Sequence, residues 1–404
     1  MREKVTIGVD VGSSEVVAIV GHRGEDEMHP NIIGVGIQEN SGLRKGVVTD
    51  VEETVTAITG ALDKAERMAG VPIEGAYVSI NGEHIQAANT KGLISVARHE
   101  IGGDDITRVI ESAQTVALPA NREIIHVIPR TFIVDGQDGI RDPLGMSGTR
   151  LEVDAHVITG SSPFIKNLQK TVEQAGISIS NFVLAPLAAS KTVLSKKQKE
   201  LGVVVIDIGA GTTGIVVFDE GDICHSAVLP IGSNHLTTDI AIGLRTSLDV
   251  AEKVKIEYGM ASSVILSDKD TVDLSRFDKS EDQVISRRYI AEIIEARLME
   301  IFMMIKTELR KVGKDGMLPA GAVLVGGGSK LPWIVDFAKD HLGLPAQIGF
   351  PIELRGVVDR LDDPRFVTAI GLVLWGMDEN NSASDMRREP SFGGAIARLK
   401  NWFK

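Results

Sequence analysis

The chain has 404 residues, 43% hydrophobic and 24% charged, a composition that supports two to four folded units with cores of their own. A net charge of −12 at pH 7 excludes binding of nucleic acid or anionic lipid through a general basic field. The one cysteine, Cys224, excludes an intramolecular disulfide and a cysteine metal cluster, points to a reducing compartment, and reads as a small buried apolar residue rather than a nucleophile.

Met1-Arg2-Glu3-Lys4 leads straight into an apolar β-type run, so no signal peptide is expected. No apolar stretch approaches the ~20 residues of a bilayer span, and a cytoplasmic protein is expected. The run Val5–Val11 delivers Asp10 to a turn of Gly12, Ser13 and Ser14, and a second apolar run follows from Val16 to Val20. Such a hairpin bares backbone N–H groups at its tip, as close approach to a polyphosphate requires. The aspartate repels phosphate but can hold a hydrated Mg²⁺ that bridges to it.

A further strand is expected over Ile32–Ile37, and Asp50 or Thr49 is placed to cap a helix from Val51 to Ala69. Val55, Ile58, Leu62 and Ala65 recur in that helix at the spacing of one buried face, and Gly70 ends it. Ala76–Ile80 returns as a strand. From Asn81 to Ser162 the texture changes to short strand-like runs (92–96, 124–128, 131–134, 151–159) around one helix, Asp104–Ala117, which reads as a compact α+β insertion. The helix Phe164–Ala175, the strand Ile177–Leu184 and the small-residue helix Pro186–Leu194 follow. The polar run Ser195–Glu200 reads as a solvated loop at the seam between two lobes.

The second half opens on an echo of the first. Val203–Ile208 carries Asp207 to a turn of Gly209, Gly211, Thr212 and Thr213, and Ile215–Phe218 leaves it. Two such hairpins in similar apolar settings imply a duplicated half and a nucleotide clamped between two lobes. Helices are expected over Asp249–Tyr258 and Gln283–Val312, the latter with Ile290, Ile293, Ile294, Arg297 and Ile301 in register. The strand Ala322–Val325 runs into Gly326-Gly327-Gly328-Ser329 and a helix, Leu331–His341. That strand–glycine–helix order lets a flat ring approach bare backbone, and its distance from the lobe's own phosphate hairpin suits a nucleoside pocket. Asp363-Pro364-Arg365 precedes a last small-residue helix, Val367–Trp375.

Residues 378–390 are polar and aperiodic and read as a flexible linker. They deliver residues 391–404, in which Phe392, Ile396, Leu399 and Phe403 share a helical stripe with Trp402 at its edge and basic residues on the flanks. A basic amphipathic helix on an acidic protein reads as an anchor to a membrane surface. Five half-buried apolar side chains yield roughly 4–7 kcal/mol, and ordering so short a helix costs a comparable amount. One copy should bind lipid weakly, whereas many copies on one assembly should bind strongly.

Two D-x-G hairpins, a late strand–GGG–helix and a small-residue connecting helix in each lobe resemble the actin, heat-shock-chaperone and sugar-kinase superfamily. Within it, GVDVGSSEVVAIV, GLRKGVVTDVEETV, VSINGEHIQ, HVIPRTFIVDGQDGIRDPLGMSG, LAPLAASK, VIDIGAGTTGIVVF, VAEKVKIEYG, VLVGGGSKLP and the terminal amphipathic helix resemble the FtsA family of bacterial cell-division proteins over essentially the whole chain. The resemblance implies an α/β, actin-like two-lobed ATPase fold of duplicated ribonuclease-H-like lobes with an α+β insertion in the first. The implied units are a first-lobe core (1–80 and 164–199, closed by 365–377), the insertion (81–163), a second-lobe core (200–244 and 313–364), its small subdomain (245–312), the linker (378–390) and the membrane helix (391–404).

The resemblance also implies ATP and Mg²⁺ in the cleft, with Asp10 and Asp207 serving the metal through water. Gly12, Ser13, Ser14, Gly209, Gly211, Thr212 and Thr213 would serve phosphate. Glu252, Lys255, Gly326, Gly327, Gly328 and Lys330 would serve the nucleoside, although Glu252 and Lys255 also read as an i,i+3 surface pair. Hydrolytic superfamily members commonly place Glu or Gln near the start of the first connecting helix. Ala185-Pro186 stands there and cannot orient water, so slow hydrolysis is expected, with ATP mainly a structural ligand. The implied partners are FtsZ, further copies of the chain in a filament, an anionic membrane surface at the division site and other divisome proteins. The FtsZ tail site would lie on the small subdomain, where Arg287, Arg288 and Arg297 supply positive charge. The alternatives are a pilus-assembly relative anchored by a partner and a small-molecule kinase of the same superfamily.

Overall fold

The computed structural model of the chain describes residues 5–24, 30–115, 120–352, 354–356 and 361–388, the side chains of the final helix only as far as Glu379. The first lobe starts with β1 (Val5–Val11), β2 (Glu15–His22), β3 (Asn31–Glu39), α1 (Val51–Ala69) and β4 (Gly75–Ile80). The insertion supplies β5 (Gln86–Ser95), α2 (Gly103–Thr115), β6 (Arg122–Val134), β7 (Gln137–Ile140) and β8 (Arg150–Ser161). The lobe resumes with α3 (Ser162–Gln174), β9 (Ser178–Leu184), α4 (Ala185–Val193) and α5 (Lys196–Leu201). The second lobe contains β10 (Val203–Ile208), β11 (Thr213–Asp219), β12 (Asp222–Leu229), α6 (Ser233–Leu244), α7 (Leu248–Tyr258), α8 (Arg287–Lys311), β13 (Ala322–Val325), α9 (Ile334–Leu342) and β14 (Ala346–Ile348). The helix α10 (Val367–Arg388) returns to the first lobe.

The two main sheets share one plan. In the first the order is β9-β4-β1-β2-β3, with the pair 355–356 at the edge; in the second it is β12-β11-β10-β13-β14. Each is an antiparallel three-strand meander extended by two parallel strands on the side of its first strand. Every residue of β10 is buried, as a central strand covered on both faces demands. The insertion is a separate antiparallel sheet, β5-β8-β6-β7, with α2 on one face and a core of its own around Ile106, Phe132 and Leu151.

Local sequence explains many boundaries. Asp50 accepts the Glu53 N–H at the start of α1, and Gly70 closes that helix in the left-handed region. Small residues on α4 and α10 let these helices touch through their backbones: a Cβ on Gly371 would lie 1.9 Å from the Ala188 carbonyl oxygen. Cys224 is buried and free, at 9% exposure.

Several expectations need correction. The run Ser195–Glu200 is no loop: Ser195 and Gln198 form a capping box at the head of α5. The runs 124–128 and 131–134 are one strand, β6, which absorbs Pro129 at a register shift opposite Ala155. Helix α6 was not anticipated, although Leu236, Ile240 and Leu244 line its buried side at four-residue spacing. α8 begins at Arg287 rather than Gln283 because Val284–Ser286 pairs with Thr271–Asp273 as a small ribbon. In α1, Thr54, Ala57 and Ala61 join Ile58, Leu62 and Ala65 on the buried face, while Val55 is only half-buried.

No linker begins at Asp378, because α10 continues through Arg388. Asp378 pairs with Lys191 at 2.5 Å, and Glu379 accepts from Asn181 and the Trp375 indole, so the polar residues here have partners on the body. The expected membrane helix, with Phe392, Ile396, Leu399, Trp402 and Phe403, lies outside the described residues. Among the described residues no helix is long and apolar enough to cross a membrane.

Candidate functional site

The twin hairpins share one construction. Asp10 stands opposite Val17 near the end of β1, and Asp207 stands opposite Gly214 near the end of β10. In each, the glycine two residues on donates its N–H to the carbonyl five residues beyond the aspartate: Gly12 to Glu15 at 3.0 Å and Gly209 to Thr212 at 2.9 Å. The tips of the two loops meet. A Cβ on Gly211 would lie 2.7 Å from Ser13 Oγ and 3.1 Å from the Lys45 nitrogen, so only glycine fits this crossing without displacing a neighbour. Asn81 Nδ2 donates to Thr212 Oγ1 at 3.1 Å, a hydrogen bond between the lobes.

Both aspartates are held where a lone negative charge is disfavoured. Burial and, after it, the Asp10 carboxylate raise Asp207 to about 7, against the Thr368 hydroxyl, which donates to it at 3.3 Å. Asp10 rises to about 6 through burial, partly offset by its bond with the Ser79 hydroxyl. Two coupled carboxylates that resist ionisation become easier to ionise when a cation binds beside them. Among the described residues no group of three His, Cys, Asp or Glu could cage a metal. The set therefore fits a Mg²⁺ that keeps water and takes its other oxygens from a ligand, not a dedicated protein cage. Mg²⁺ bound there would neutralise phosphate charge.

The glycine turn after β13 differs from expectation. It is far from the second hairpin in sequence, yet β13 pairs with β10 so that Val325 sits opposite Asp207. A Cβ on Gly326, whose φ is +81°, would lie 2.4 Å from Asp207 Oδ1, so the turn wraps the aspartate itself. Gly328 packs on Ile208, and Gly327 faces open space, where a ring could lie on bare backbone. Lys330 does not reach free into a pocket; it pairs with Asp363 at 2.5 Å. Arg365 joins Asp363 at 3.5 Å and Glu15 at 3.7 Å, which links the mouth of the site to the first hairpin.

Glu252 and Lys255 form the i,i+3 pair at 2.6 Å and are also tied to the site. Lys255 Nζ donates to Thr237 Oγ1 at 2.8 Å on α6, whose first residue, Ser233, donates its N–H to the Gly209 carbonyl at 2.9 Å. Ser14 and Thr213 belong to the hairpins as expected: the Ser14 carbonyl accepts from Asn40, and Thr213 Oγ1 is buried on the Ile231 carbonyl. Lys45, Ser79, Asn81 and Thr368 were not singled out from the sequence. Lys45 and Asn81 stand inside the GLRKGVV and INGEH motifs; Thr368 carries no local signal. Ala185 and Pro186 do open α4, and a Cβ on Gly214 would meet the Pro186 ring at 3.0 Å. An apolar ring therefore packs beside the second hairpin at the start of α4. On the small subdomain, Arg297 is committed to Asp239 at 2.6 Å and to Glu300, and Arg288 pairs with Asp268 at 2.9 Å.

Comparison with known proteins accounts for the whole chain. Residues 204–371 match the family profile described as "Cell division protein FtsA", and residues 82–159 match that of the "SHS2 domain inserted in FTSA". The cell division protein FtsA of Pseudomonas aeruginosa is 37% identical, over 99% of this chain and 97% of its own length. That of Bacillus subtilis is 41% identical, over 92% and 83%, and that of Escherichia coli 33%, over 99% and 98%. Among solved structures, the PilM–PilN type IV pilus biogenesis complex aligns with a TM-score of 0.66 at 17% identity, covering 92% of this chain and 98% of that one. MreB5 of Spiroplasma citri bound to ADP aligns with a TM-score of 0.56 at 15% identity, covering 95% and 98%. These likenesses show an actin-like fold. With several full-length relatives above 30% identity and the insertion matched as well, the chain belongs to the FtsA family of bacterial cell-division proteins.

Proposed function

We propose that this protein binds ATP with Mg²⁺ between its twin hairpins, polymerises at the inner face of the cell membrane and tethers FtsZ there, recruiting later division proteins. The observation that carries the reading is the coupled pair Asp10 and Asp207, on hairpins of identical construction, in contact through Gly211 and Ser13. A solved neighbour of the same fold is described as bound to ADP and another as bound to AMPPNP. Ser13, Ser14, Gly211 and Thr212 would hold the phosphates by backbone N–H and hydroxyl groups, while Gly12, Gly209 and Thr213, whose N–H groups or hydroxyl are already bonded to backbone carbonyls, would shape the turns around them. Gly326, Gly327 and Gly328 would lie against the nucleoside, with Glu252, Lys255 and Lys330 at its edge. The close contact of Gly211 with Ser13, the Asn81–Thr212 hydrogen bond and the Arg365 ion pairs would hold the jaw closed on the ligand. The Pro186 ring argues for slow turnover, with ATP stabilising the closed, assembly-competent form.

Membrane attachment would rest on residues 391–404, weakly per copy and strongly per filament. Titration calorimetry with Mg·ATP tests the first step: uptake by the wild type and at least a tenfold loss in Asp10→Ala are expected, and no uptake by pure protein would sink the reading. Electron microscopy on a lipid monolayer with ATP, with and without residues 391–404, tests assembly. Hydrolysis faster than ~1 s⁻¹ in a single turnover would refute the structural role given to ATP.

A further inference from the structure

A cavity of about 490 Å³ lies behind the connecting helix α4, where the insertion, both lobes and α10 converge. None of the hairpin or glycine-turn residues lines it. Its walls come from α4 and α10 of the first lobe, α5, the middle of β6 in the insertion, and the turn between β11 and β12 in the second lobe. The size is that of a small-molecule site.

The walls combine aromatic surface with a group of cations gathered near Asp378. Trp375 and Phe218 supply flat apolar faces, and His126 stands beside Trp375 with ring centroids 5.3 Å apart. Lys191 binds Asp378 at 2.5 Å and lies 5.7 Å above the Trp375 ring. Arg23 reaches the same Asp378 at only 3.8 Å, and its Nε is buried with no hydrogen-bond partner among the described residues. The Lys199 ammonium lies 5.2 Å over the Phe218 ring and has no ion pair or side-chain hydrogen bond among the described residues. Burial and the nearby Lys191 charge push Lys199 down to about 8, whereas Asp378 draws it up. Of the other acids on the walls, Glu379 accepts from Asn181 and Trp375, burial holds Asp222 up at about 6 against the fields of Arg141 and Arg130, and Glu200 is exposed. Asp378 thus serves three cations, and a buried guanidinium nitrogen lacks an acceptor. Such an arrangement is costly unless an anion completes it.

We propose that this cavity is a second ligand site, distinct from the cleft of the twin hairpins, for a small amphipathic anion: one carboxylate set among Arg23, Lys191 and Lys199, and a flat apolar body on Trp375 and Phe218. Because Phe218 belongs to the second lobe and Trp375 to the first, the ligand bridges the lobes on the far side of α4, so the site senses their spacing.

The test uses the full chain with Trp333→Phe and Trp402→Phe, which leaves Trp375 as the single indole reporter, and 4-biphenylacetate as the probe. A saturable change in Trp375 fluorescence is expected, with affinity at least tenfold above that of the neutral 2-(biphenyl-4-yl)ethanol. Lys199→Glu should weaken the probe at least tenfold and Lys199→Gln, which keeps most of the stem, at least threefold, with thermal melting curves confirming that both variants fold. Equal affinity for acid and alcohol, an unchanged Kd in Lys199→Glu, or no saturable response would each overturn the proposal.

Discussion

Replacing Asp207 by Asn in the protein free of nucleotide and metal should stabilise it, by an amount that grows with pH. Asp207 is 8% exposed and its carboxyl stands at about 7, against an ordinary value of 3.8. Because the folded value lies above the unfolded one, the folded state holds its proton more tightly. The wild type is therefore favoured in acid and loses stability as pH rises from about 4 to about 7, after which the loss levels off. Each pH unit in that window costs ~1.4 kcal/mol, so the whole penalty is roughly 4 kcal/mol. Asn carries no charge at any pH, and its side-chain oxygen can still accept from Thr368, so the difference between variant and wild type isolates the carboxylate. Between pH 5 and pH 7 that difference should widen by about 2 kcal/mol, or roughly 3 °C in Tm for a chain of this size. Differential scanning calorimetry in EDTA at several pH values measures it. Asp10→Asn should act in the same direction but less, since Asp10 is only half-buried by accessible surface and water screens it. A gap that does not change with pH, or an Asp207→Asn variant less stable than wild type at pH 7.5, would refute the account of a coupled carboxylate pair that resists ionisation.

Gly211→Leu should wedge the hairpins apart, since its Cβ would lie 2.7 Å from Ser13 Oγ; titration calorimetry should show Mg·ATP affinity falling more than tenfold, and an unchanged value would contradict the crossing as described. His156 is 1% exposed and bridges the lobes, with Nδ1 2.6 Å from Asn89 Oδ1 in the insertion and Nε2 2.8 Å from Ser226 Oγ in the second lobe. His156→Ala leaves the buried Ser226 hydroxyl unmatched, whereas the exposed Asn89 keeps its bond to the Cys224 carbonyl, so urea denaturation should show a loss of roughly 1–3 kcal/mol; under 0.5 kcal/mol would mean that the bridge is not formed. Removing the Ser195 hydroxyl (Ser195→Ala) should cost about 1 kcal/mol through the capping box of α5, with no change in cleft binding. Deleting residues 391–404 should abolish pelleting with anionic liposomes, and retention of binding would reassign the membrane contact to the body.

Short-range patterns settled a great deal in advance. Strand, aspartate, glycine and strand stand within a dozen residues in each hairpin, so β1–β2 and β10–β11 were legible, as were the Asp50 cap, the Gly70 stop and the alternation of helices and strands. Their repetition made the two-lobed plan legible as well. What sequence could not decide depended on partners distant along the chain. Parallel pairing of β13 with β10 brings Gly326 onto Asp207, and the return of α10 sets Thr368 beside the same carboxylate; no local pattern encodes either meeting. The polar stretches at 195–200 and 378–388 looked alike as unpartnered loop, yet both are helical. A charged run becomes a helix when a cap satisfies its first N–H groups, as Ser195 does, or when its acids find cations and amides on the body, as Asp378 and Glu379 do. Local hydrogen bonding and periodicity are written in neighbouring residues, whereas burial and charge pairing are set by which surfaces the fold brings together.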